Sequence, residues 1–70
     1  MEKVYSNMAG NVWKIVAKVG ESIEEGQDVV ILESMKMEIP IAVEASGVVK
    51  EIFVNEGDFV NEGDLLLELE

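Results

Sequence analysis

The stretch of this chain best equipped for chemistry is Glu33-Ser34-Met35-Lys36-Met37-Glu38. Lys36 is one of five basic residues set against fifteen acidic ones, and a methionine stands on each side of it. A lysine amine is a nucleophile once deprotonated, and acylation converts it to a neutral amide. Methionine is unbranched and polarizable, so Met35 and Met37 offer an adaptable apolar surface to whatever docks over that amine. The plainer interpretation is a strand lysine with its stem on apolar neighbours and its head in water. Which of the two holds depends on the elements that position Lys36.

Composition removes many alternatives. The chain has no cysteine and no histidine, which excludes disulfides, thiolate chemistry, imidazole acid–base catalysis and the usual zinc sites. No catalytic residue and no metal ligand is expected. Apolar residues make up 49% of the 70 residues, enough for one small compact domain spanning residues 1–70. A formal net charge of −10 with no basic patch repels phosphate backbones and anionic lipid. The expectation is therefore no nucleic acid, no membrane, and a soluble monomer. No apolar run approaches the roughly 18 residues of a membrane span and no signal-peptide pattern stands at the start, so a cytoplasmic location is expected.

Strand signals follow one another along the chain. Val4-Tyr5 suggests a first edge strand, and β-branched residues fill 10–17. Gly-acid turn signals flank Ile23, and Asp28 to Glu33 reads as a strand with a continuous apolar centre, Val29 to Leu32. Such a run implies burial on both faces or a strand shared by two sheets. Met37 to Val43 is strand-like but contains Pro40, which confines it to an edge or a bulge. Val48 to Val54 and Leu65 to Leu69 complete the set, the latter alternating Leu67 and Leu69 with Glu68 and Glu70. Nothing holds a helical period, so the fold is expected to be all-β.

Internal repetition sharpens this picture. A shift of 37 residues lays 10–33 over 47–70 without a gap, with identities at Gly10/Gly47, Val12/Val49, Ile15/Ile52, Gly20/Gly57, Glu25/Glu62, Gly26/Gly63, Leu32/Leu69 and Glu33/Glu70. Two copies of one β unit should pack about an approximate two-fold axis as a flattened barrel or sandwich of two antiparallel sheets. Val12 and Ile15 are three apart, as are Val49 and Ile52, which breaks strict alternation in both copies and implies a bulge in each. Trp13 aligns with Lys50, so a partly exposed indole is as reasonable as a buried one. Glu24, Glu25, Glu62 and Asp64 read as a solvated acidic face.

Lys36 lies in the 13-residue connector 34–46 between the copies and has no counterpart in either. The strands on its two sides converge on it, which places it near a hairpin tip. An amine driven to its neutral, catalytic form needs burial or a cationic neighbour. Glu33 and Glu38 favour the ammonium instead, so a lysine offered to another protein fits better than a Schiff-base lysine in an active site.

On these residues the chain resembles the biotinyl/lipoyl attachment domain family. It is most similar to small free-standing biotin/lipoyl attachment proteins and biotin carboxyl carrier domains, from about Met8 to Glu70. Met35-Lys36-Met37 matches the family's biotin-acceptor tripeptide, with Glu33 at its upstream acidic position. Ser46-Gly47-Val48-Val49-Lys50 and Asn55-Glu56-Gly57-Asp58 match its second-half signature. Ser34 replaces the family's usual alanine, the proline-bearing approach is reduced to Met8-Ala9-Gly10, and there is no room between Val12 and Asp28 for a protruding thumb.

The resemblance implies a carrier and not an enzyme. Biotin would be joined to Lys36 by a biotin protein ligase, with Met35 and Met37 beside the cofactor and Glu33, Ser34 and Glu38 read by the ligase. The attached group would shuttle carboxyl between the biotin carboxylase and carboxyltransferase subunits of a biotin-dependent acyl-CoA carboxylase such as acetyl-CoA carboxylase. Its arm, roughly ten bonds of ~1.5 Å, would extend on the order of 12–15 Å. The alternatives are a lipoyl carrier, or one accepting both lipoate and biotin, and an unmodified protein-interaction barrel.

Overall fold

The computed structural model describes residues 2–70, so Met1 lies outside it. Eight strands form two antiparallel four-stranded sheets. They are β1 (Glu2–Tyr5), β2 (Gly10–Ile15), β3 (Ser22–Ile23), β4 (Asp28–Ser34), β5 (Met37–Ala42), β6 (Gly47–Ile52), β7 (Phe59–Val60) and β8 (Leu65–Leu69). One sheet has the order β1-β8-β6-β3 and the other β5-β4-β2-β7. Adding four to each label in β1-β8-β6-β3, with the count wrapping round, generates the second order. The fold is thus an all-β sandwich with internal two-fold pseudosymmetry, and the equivalence reaches beyond the matched sequence to β1 and β5.

Most of the core consists of residues related by the 37-residue shift. Val12/Val49, Ile23/Val60, Val29/Leu66, Val30/Leu67, Leu32/Leu69 and Val4/Ile41 are all buried and form one cluster. Each such side chain contributes roughly 1.5–3 kcal/mol by leaving water. Neither sheet could bury these groups without the other.

The sandwich also explains the irregular positions. The β2–β4 register shifts between Val12 and Lys14, and the β6–β8 register shifts between Val49 and Glu51. Trp13 and Lys50 are therefore the equivalent bulged residues, and Trp13 is 46% exposed. The apolar run in β4 reflects a third irregularity and not a strand shared by two sheets. A register shift between Asp28 and Val30 turns both Val29 and Val30 inward, whereas Ile31 is only half-buried. Pro40 lies on the edge strand β5, where its missing N–H interrupts no ladder. In β8 the expected alternation gives way at Glu68, which is 9% exposed and pairs with Lys50 at 4.0 Å.

The two-residue strands β3 and β7 flank turns of a single design. In Asn61-Glu62-Gly63-Asp64, Gly63 has φ +91°, which its missing Cβ makes inexpensive. The Asp64 N–H donates to the Asn61 carbonyl at 3.0 Å, and the Asp64 carboxylate accepts from the Asn61 N–H at 2.8 Å. The same double closure joins Lys18 to Glu21, Glu24 to Gln27 and Asn55 to Asp58. Asp64 is thus a structural acceptor in its turn, which the view of it as part of a solvated acidic face does not capture.

Candidate attachment site

Strands β4 and β5 pair from Asp28↔Ala42 up to Ser34↔Met37, leaving Met35 and Lys36 as a two-residue loop. Both have positive φ, 53° at Met35 and 66° at Lys36. A two-residue loop with both central residues left-handed is a type I′ turn, the turn whose twist suits a hairpin. Asn-Gly is the usual occupant, because a left-handed conformation costs a longer side chain roughly 1–2 kcal/mol. Here a methionine and a lysine are held in it, and the long β4–β5 ladder supports them. Strain of this kind gathers where a side chain must be held in one place.

The turn displays its side chains. Met35 is 92% and Met37 62% exposed, and Lys36 is exposed as well. Among the described residues Lys36 joins no ion pair. Below the turn, half-buried Ser34 stands opposite Met37, and Glu33 stands opposite Glu38 with both carboxylates in solvent. All six residues singled out in the sequence therefore occupy one hairpin end. Like charges directly opposite on a sheet are unfavourable, so the Glu33/Glu38 pair does not serve the hairpin's stability.

The structure adds two residues that sequence spacing does not bring near Lys36. Asn11 on β2 stands opposite Glu33, and Phe59 on β7 stands opposite Asn11. With Ser34, Met35 and Lys36 they line a shallow depression beside the turn. The signal that marks them is failure of the internal repeat: the positions related to Asn11 and Phe59 are Val48 and Ser22. Gly10 sets the tight approach at this end, since a Cβ there would meet the Glu33 carbonyl oxygen at 3.1 Å.

An exposed amine on a hairpin tip, bordered by a shallow depression, can be acylated by a partner and can carry the acyl group away. The residues present fit such a group, because the amine is exposed and, among the described residues, joins no ion pair. These features define a covalent-attachment domain, a carrier. The chain matches the family model described as "Biotin-requiring enzyme" over residues 2–69. It is 68% identical over 62 residues to the biotin/lipoyl attachment protein of Bacillus subtilis, covering 89% of this chain and 85% of that protein. Among solved structures it is similar to the urea carboxylase of Kluyveromyces lactis, with a TM-score of 0.92 and 40% identity over 99% of this chain but 6% of that one. It is also similar to the lipoyl domain of the Azotobacter vinelandii 2-oxoglutarate dehydrogenase complex, with a TM-score of 0.74 and 31% identity over 96% of this chain and 95% of that one. The chain belongs to the biotin/lipoyl attachment family.

Proposed function

We propose that Lys36 is the residue that carries a covalent biotin, and that this chain presents it in turn to the active sites of a biotin-dependent carboxylase. The exposed amine at the second position of a strained, rigid turn is the observation that carries this reading. A biotin protein ligase is the partner that loads it. The Lys36 nitrogen bonds to the activated carboxyl carbon of biotinyl adenylate, the bond to the phosphate oxygen breaks, AMP leaves, and the ammonium proton passes to solvent or a ligase base. Once attached, the group supplies a carboxyl-carrying nitrogen.

The chain's own residues supply presentation. The turn fixes where the arm begins, Met35 and Met37 give partners an apolar contact, and Glu33, Ser34 and Glu38 form the edge by which a ligase recognises the tip. Tethering raises the local concentration of the carried group at each partner site. The partners are a biotin carboxylase and a carboxyltransferase of an acyl-CoA carboxylase, working in the cytoplasm.

A lipoyl carrier is the second reading, favoured by the likeness to a lipoyl domain over nearly its full length. Incubation with a biotin protein ligase and a lipoate ligase together, at equal cofactor concentration, separates the two by intact mass. Biotin on Lys36 is the expected main product. Lipoyl product alone would make the second reading the correct one.

A further inference from the structure

The pseudosymmetry provides an internal control for the surface around Lys36. Wherever the two halves differ at an exposed position, the fold itself does not require the residue found there. Position 59 is a phenylalanine, 61% exposed, where the related position holds Ser22. Position 11 is asparagine where the related residue is Val48. An aromatic ring and a carboxamide thus stand side by side in the sheet that carries Lys36, and the related positions of the other sheet hold neither. Packing does not explain Phe59, because serine satisfies the same place in the fold.

The register fixes what these residues adjoin. Phe59, Asn11, Glu33 and Glu38 form one continuous rung across β7, β2, β4 and β5. Phe59, Asn11 and Glu33 line the depression that Lys36 and Met35 border on the turn side. Phe59 is two strands from β4, roughly 10 Å, and the turn stands about 7 Å beyond the rung. The separation from Lys36, on the order of 12 Å, is within reach of an arm of roughly ten bonds at ~1.5 Å each.

We propose that this depression is a resting site for the group carried on Lys36, taking a bicyclic ring that joins a thioether to a cyclic urea. A thioether sulfur is favoured against an aromatic ring such as that of Phe59. The Asn11 carboxamide offers both a donor and an acceptor, and the Glu33 carboxylate accepts, which complements the N–H and C=O edge of a urea. The depression is shallow and solvent-open, so the rest is brief and reversible, and the arm remains available to partners. Between encounters it keeps the ring on the domain that carries it. This inference rests on the biotin reading above and deepens it.

The experiment begins with the biotin-loaded chain, its loading established by intact mass; failure to load would strike at the biotin reading and not at the resting site. On fully loaded protein, nuclear Overhauser contacts between the ring protons of the group and Phe59 are expected, with a shift of the Asn11 side-chain amide relative to unloaded protein. Phe59→Ser, which installs the residue the fold already uses at position 22, should abolish those contacts. Streptavidin should capture the loaded Phe59→Ser chain about two- to fivefold faster than the loaded wild type, because capture is slowed by the fraction at rest. A fully loaded wild type with no contact to Phe59, captured at the same rate as the variant, overturns the proposal.

Discussion

At the second position of its turn, Lys36 combines an exposed amine, in no ion pair among the described residues, with a left-handed backbone. Lys36→Arg keeps the charge but has no amine able to form the amide. It is expected to fold normally and to take no biotin from the ligase; biotin retained by this variant would move the acceptor to another lysine, Lys14 or Lys50 first. Place should matter as much as identity. Exchanging Lys36 with Met37 moves the amine from the turn onto β5, and ligation is expected to slow by roughly a hundredfold with thermal stability nearly unchanged. A wild-type rate in that variant would remove rigid presentation from the account. The methionines bear on which group is accepted, and replacing Met35 with Asp and Met37 with Ala should shift the product of the two-ligase competition from biotin toward lipoate. Each lost or gained contact at an enzyme's recognition site is worth about 1–3 kcal/mol, so an unchanged ratio would show that the flanks do not discriminate.

The β4–β5 hairpin is the element that turns sequence into site, and its turn stores strain. Met35→Gly relieves a left-handed conformation at φ 53° and is expected to stabilise the fold by roughly 0.5–1 kcal/mol in chemical denaturation, while slowing ligation through loss of the apolar flank. A destabilised variant would mean that the methionine side chain supports the turn. Much of this hairpin is legible in the sequence: two strands converge on Lys36, Pro40 marks an edge, and the twin Val–Ile spacings mark the bulges at Trp13 and Lys50. The left-handed turn is not legible, since Met-Lys carries none of the Asn-Gly chemistry that announces type I′. The strands β3 and β7 escape because two residues show no period. The neighbours Asn11 and Phe59 come from register between strands far apart in sequence. The unequal halves hint at them only once the sheet orders are known.

The whole molecule is two half-cores that stabilise one another across 32 × 19 × 18 Å. Both sheets contribute buried residues to one cluster, so the domain is expected to unfold in one transition. Trp13, the only tryptophan, reports on the sheet with Lys36, and far-ultraviolet circular dichroism reports on both sheets. Coincident denaturation curves are expected from the two probes, and separated midpoints would mean that one sheet survives without the other. A small acidic carrier of this kind, once an arm is attached to its exposed amine, would be suited to visiting larger partners. The most direct test of that account is the intact mass of this protein purified from the cell that makes it, with the modified peptide mapped. The predicted result is a mass increase of one biotinyl group located on Lys36. An unmodified Lys36 in cells whose ligase loads their other biotin carriers would contradict it.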